Sequence, residues 1–100
     1  MRLRWLRRAR IDLQDIRAHI AGDNPVAAIT IGARIEDRAN QLLLNPWLGP
    51  ESNIPSVRRL LVSNLPYHIY YRVQPQAQRI EILHVRDARR LPPRPDDVTL

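Results

Sequence analysis

The spacing of apolar residues shifts along the chain, and each shift predicts an element. Leu3 and Trp5 alternate with Arg2 and Arg4, the period of a short strand with one apolar face. Ala9, Leu13, Ile16 and Ile20 then recur every three or four residues, one stripe of a helix, with Arg10, Asp12, Gln14 and Arg17 off it. Gly22 stands where a C′ residue would end that helix. Asp23-Asn24-Pro25 predicts a restart, because an Asx side chain caps a helix and Pro at the first helical position forfeits no internal hydrogen bond. Ala28, Ile31, Ile35, Ala39 and Leu42 carry a second, longer stripe as far as Asn45-Pro46. So short a connection predicts an antiparallel helical hairpin.

Leu48 to Ser56 has no period and contains Gly49, Pro50 and Pro55, so it reads as a loop. Three strand patterns follow. Val57 to Val62 is the first. Tyr67 to Val73 is the second, with Tyr67, Ile69, Tyr71 and Val73 on one face and His68, Tyr70 and Arg72 on the other. Arg79 to Val85 is so apolar that it predicts a central strand covered on both faces. Turns at Ser63–Pro66 and Gln74–Gln78 make these strands antiparallel neighbours. The expected architecture is α+β in the order β-α-α-β-β-β, a helical hairpin on one face of a mainly antiparallel sheet. Residues 1–91 form one domain. Residues 92–100 form a Pro-rich tail, because Leu91-Pro92-Pro93-Arg94-Pro95 suits neither a helix nor a central strand and reads as extended or flexible. The second sheet face has no assigned cover.

Charge narrows the partners. The net charge is +6, with five arginines before the first acid at Asp12 and a second cluster from Arg86 to Arg94. All sixteen basic residues are Arg, so no lysine is present to act as a base or nucleophile, and every positive group is a planar fork suited to carboxylate or phosphate. An anionic partner follows, either nucleic acid or an acidic protein. The chain has no Cys, which excludes disulfides, thiolate chemistry and Cys-ligated zinc and suits the cytoplasm. No apolar run reaches the roughly 20 residues of a bilayer span, and the Arg-rich N-terminus is unlike a signal peptide. Three scattered His make a poor metal site, and no cofactor is expected.

Two patches carry a family likeness. Trp5, Ala9, Asp12-Leu13, Ile16, Ile20-Ala21, Asp23-Asn24-Pro25 and Ala27-Ala28 resemble the opening of ParE-type toxins, with His19 where Tyr is common. Val57-Arg58-Arg59-Leu60, Pro66-Tyr67-His68-Ile69-Tyr70-Tyr71-Arg72-Val73, Ile80-Glu81-Ile82-Leu83 and Arg86-Asp87-Ala88-Arg89-Arg90 are similar to the second half of the RelE/ParE pattern. The likeness runs from Arg2 to Pro92. It implies a cytoplasmic toxin of a type II toxin–antitoxin pair, neutralised by an acidic antitoxin through which alone it would reach operator DNA. ParE-like members poison DNA gyrase and RelE-like members cleave mRNA on the ribosome, so the shared scaffold leaves the target open.

RNA cleavage needs a base, charge-stabilising cations and an acid. The likeness aligns Arg59 and His68 with a lysine and an arginine of RelE-like toxins, but no Lys and no Tyr follow Arg90, and Arg is a poor base. The ribonuclease candidates are therefore Arg59, His68, His84 and Arg86, with structural packing as the alternative role for each His. Arg58, Arg59, Arg72, Arg86, Arg89 and Arg90 are candidates for one basic patch that binds target or antitoxin, unless Glu81 and Asp87 occupy them. Tyr70 is the candidate for base stacking, whereas Tyr67 and Tyr71 belong to the core. Trp5 and Trp47 are expected to pack the hairpin on the sheet. Ile11 and Ile29, off the stripes, mark a surface for antitoxin or self-association. The leading reading is a gyrase inhibitor using the hairpin and the basic C-terminal segment. A ribosome-dependent endoribonuclease and a non-toxic co-repressor are the alternatives.

Overall fold

A computed structural model describes residues 1–98. Strand β1 (Arg2–Trp5) leads into helix α1 (Arg7–Ala21), helix α2 (Pro25–Asn40), and strands β2 (Arg58–Leu61), β3 (Tyr67–Gln74) and β4 (Arg79–Asp87). The sheet order is β1-β4-β3-β2, with β1 parallel to β4 and the other pairs antiparallel. Two helices on a four-stranded mixed sheet are the α+β arrangement expected from the periodicities. The apolar β4 lies between β1 and β3, and Ile80 through Val85 are all buried.

The helix restart works as its residues dictate. The Asn24 side chain accepts a hydrogen bond from the Ala27 N–H at 3.0 Å, and Pro25 occupies the first helical position. Gly22 follows α1, but at φ −57° it stays right-handed, so the left-handed C′ geometry expected of it is not used. Helix α2 stops at Asn40, short of Asn45-Pro46, and tightens into a 3-10 turn at Gln41–Leu43. On α1 and α2, Ala9, Leu13, Ile35 and Ala39 pack with Leu42 on Ile69, Tyr71, Ile80 and Ile82 of the sheet. Trp5 packs against this core, but Trp47 does not: it is 54% exposed, beneath the Arg58 guanidinium, 4.9 Å from the ring centre.

The second sheet face has its own small core. Ile54 and Val57 from the irregular segment before β2, Tyr70 and Leu83 from the sheet, and Val98 from the tail are buried together, with Leu6 against them. The Pro-rich tail, read as extended or flexible, therefore packs: Pro93 is buried, its carbonyl accepts from the Asn53 amide at 2.9 Å, and Pro95–Val98 forms a 3-10 turn. The last two residues of the tail, 99 and 100, lie outside the described residues. No described helix is long and apolar enough to cross a membrane.

Candidate functional site

Strand register arranges the candidate side chains in rows on the face away from the helices. Arg59, Tyr70 and His84 form one row across β2, β3 and β4, and His68 and Arg86 are partners in the next. The four ribonuclease candidates are thus brought onto one face. A bulge between Tyr70 and Tyr71 lets Leu83 join the second core while Val85 remains in the first.

His84 is held from both sides. Its Nδ1 contacts the Asp12 carboxylate, and its Nε2 lies 3.3 Å from an Arg86 guanidinium nitrogen. Because Arg86 can only donate, Nε2 accepts and the proton sits on Nδ1, pointing at Asp12. Asp12 also accepts from the backbone N–H of Val85 at 3.0 Å. β1 pairs with β4 only as far as Ile82, so beyond it the Asp12 carboxylate stands in for the missing strand. Asp12 is the neighbour of the candidate row that sequence reasoning missed, since its partner lies 73 residues away. An acid one position before the helix stripe was the available signal.

The six arginines do not converge. Arg58 sits in the row of Tyr71, on the helix side, where it donates to the Gly49 carbonyl at 2.7 Å and covers Trp47. Arg72 pairs with Glu81 at 2.6 Å, and Arg79 approaches the same carboxylate at 3.2 Å. Burial raises the Glu81 pKa, but the hydrogen bond and charge of Arg72, then the charge of Arg79, outweigh it and hold the carboxyl below its ordinary value. Arg89 forms a fork to Asp87, and its side-chain and backbone hydrogen bonds hold that carboxyl at about 2. Arg59 and Arg90 make no side-chain hydrogen bond or ion pair among the described residues. Tyr70 is only 2% exposed, covered by the second core, so its ring is not available to stack a base. His68 is half-buried, and burial followed by the charge of Arg59 lowers its pKa.

Several surfaces remain open among the described residues. A cleft of about 700 Å³ runs between α1 and the end of β4, lined by Asp12, His19, His84, Arg86, Arg89 and Arg90 among others. A groove of about 590 Å³ follows the outside of the hairpin, floored by Ala18, Ala21 and Ala33 beside Ile29. Val26 and Ile29 are largely exposed, while Ile11 is half-buried. At the end of α2, Leu43, Leu44, Trp47 and Leu48 are exposed together, Leu44 at 91%. No single period links these four, which is why the sequence did not mark them.

Comparison with known proteins agrees with this architecture. The family model of the ParE toxin of type II toxin–antitoxin systems matches residues 3–92. The candidate toxin Y4kP of Sinorhizobium fredii is 35% identical over 83 residues, spanning 83% of this chain and 86% of that protein. A chain from a chromosomal ParDE toxin–antitoxin system of P. aeruginosa superimposes with a TM-score of 0.77 at 30% identity, covering 85% of this chain and 92% of that one. A model match over nearly the whole chain, a relative of this identity and a shared fold agree on one conclusion: the chain belongs to the ParE toxin family of type II toxin–antitoxin systems, and an antitoxin is its implied partner.

Proposed function

We propose that this toxin arrests growth in the cytoplasm by binding DNA gyrase and stalling its cleaved-DNA complex, and that an acidic antitoxin neutralises it. The observation that carries the reading is the burial of the base-stacking candidate and of one of the two candidate proton-transfer groups. Tyr70 lies under the second core, and the His84 side chain is 9% exposed, with both ring nitrogens engaged. What the fold offers instead is binding surface: the alanine-floored groove of the hairpin and the basic segment from Arg86 to Arg90. Supercoiling by purified gyrase should fall in the presence of micromolar toxin, with cleaved DNA accumulating. Full supercoiling activity at that dose would sink the proposal.

The endoribonuclease reading has one observation in its favour. Asp12 orients His84 as carboxylates orient catalytic imidazoles, with Nε2 towards Arg86. Primer extension on translated messages after toxin induction separates the two, since cleavage within codons would support the enzyme and intact messages would remove it.

A further inference from the structure

The sheet face beyond the second core holds a charge arrangement that neither the fold nor the proposed target explains. The parallel register of β1 with β4 sets Arg2 beside Arg79 and Arg4 beside Glu81, while β3 sets Arg72 beside Glu81 and Gln74 beside Arg79. Leu3 and Trp5 pack on the helix-side core, so Arg2, Arg4, Arg79 and Glu81 share the opposite face. Neighbouring strands lie only about 4.8 Å apart, so two arginines in register repel unless an anion lies between or above them.

The internal carboxylate is too little to offset them. Glu81 is buried and engages Arg72 and Arg79, while Arg2 and Arg4 are exposed and make no side-chain hydrogen bond or ion pair among the described residues. Among the described residues four guanidiniums therefore share one carboxylate, and the buried Nε of Arg79 meets Glu81 at 3.2 Å as an ion pair without hydrogen-bond geometry. Glu81 tethers the two inner arginines, and the two outer ones have no carboxylate partner among the described residues. The surplus is three positive charges on a pleated surface within about two strand widths.

We infer that this end of the sheet is a binding site for the phosphate backbone of nucleic acid. An acidic protein segment would satisfy the charge as well, but a protein interface of any strength is built around apolar or aromatic anchors. Among the described residues the patch has none: the strand register gathers Arg2, Arg4, Arg72, Gln74, Arg79 and Glu81. Backbone phosphates need only charge and donors, and rigid guanidinium forks match their paired oxygens. Arg2 and Arg4, two positions apart on one strand, reach successive groups about 7 Å apart along it. The site is separate from the surfaces assigned to gyrase, and it stands or falls without them.

The test is fluorescence anisotropy of the full chain with a labelled 20-mer duplex and its single strand, over salt from about 50 to 200 mM. Arg2→Gln/Arg4→Gln removes two guanidiniums that make no hydrogen bond or ion pair among the described residues. The expected result is a several-fold weaker affinity and a slope of log affinity against log salt shallower by about 1.8 on the duplex, the loss of two phosphate contacts. Arg2→Lys/Arg4→Lys keeps the charges and should restore most of the affinity. Arg7→Gln/Arg94→Gln, which removes two exposed charges from α1 and the tail, should change little. An unchanged slope in Arg2→Gln/Arg4→Gln would overturn the inference, and so would an equal loss in Arg7→Gln/Arg94→Gln. Weakened binding of a polyglutamate peptide with DNA binding intact would assign the patch to an acidic protein instead.

Discussion

Asp12 supports more of this structure than a single side chain on a helix usually does, and removing it tests that directly. Its carboxylate accepts from Val85 N–H and from His84 Nδ1, and both residues are buried. Asp12→Ala leaves two buried donors with no acceptor, and each such loss costs about 1–3 kcal/mol. Arg8, 3.7 Å away and half exposed, adds nothing to this sum. His84 can rotate part of the way towards water, so the expected loss is about 2–4 kcal/mol rather than the full total. Against a stability of about 5–15 kcal/mol for a domain of this size, that is a large fraction. Asp12→Asn should cost less. Its carbonyl still serves Val85, and its amide is tolerated if His84 changes tautomer, although Nε2–H would then face the Arg86 donors.

Urea unfolding followed through the fluorescence of Trp5, which packs against the same core, measures the difference. A cycle with His84→Ala should show strong coupling, because Asp12→Ala then strands only the Val85 amide. A loss below about 1 kcal/mol in Asp12→Ala would refute the reasoning, since it would mean that water serves both donors.

Other consequences follow from the same contacts. The Tyr71 hydroxyl accepts from Gly49 N–H at 2.9 Å and donates to the Pro46 carbonyl at 2.8 Å, so Tyr71→Phe should lose about 1–3 kcal/mol in urea unfolding and loosen the loop that carries Trp47. Gly49→Ala should cost about as much by overpacking, because its Cβ would lie 2.9 Å from the Arg59 carbonyl oxygen and 3.0 Å from the Tyr71 ring. Asp87 has a depressed pKa of about 2, so its contribution is present above the ordinary carboxylate value and disappears as pH falls towards 2. Urea midpoints of native protein and Asp87→Asn should therefore differ at pH 6 and converge by about pH 2. His68 has a lowered pKa, so the unfolded chain binds its proton more readily than the folded one. Stability should rise with pH up to about 6.5, and His68→Gln should flatten that rise.

Periodicity made the elements legible because burial leaves a local signature. Ala9 and Leu13 announced the buried stripe of α1, Asn24-Pro25 announced the start of α2, and the unbroken apolar run of β4 announced its central place. What sits between elements left no such mark. The segment before β2 and the Pro-rich tail have no period, yet Ile54, Val57 and Val98 from them cover Tyr70. Alternation placed Tyr70 away from the helices and could say nothing about this cover. One failure was avoidable: Arg58 and Arg59 are consecutive on a strand, so they had to face opposite ways and could not share a patch. The parallel partnership of β1 with β4, by contrast, depends on a crossover through two helices that no local pattern encodes. That partnership decides where Arg2 and Arg4 fall, which residue needs Asp12, and which face carries the unbalanced charge. In this fold the irregular segments and the first strand's register, rather than the motif residues themselves, determine which arginines are held by carboxylates and which make no ion pair among the described residues.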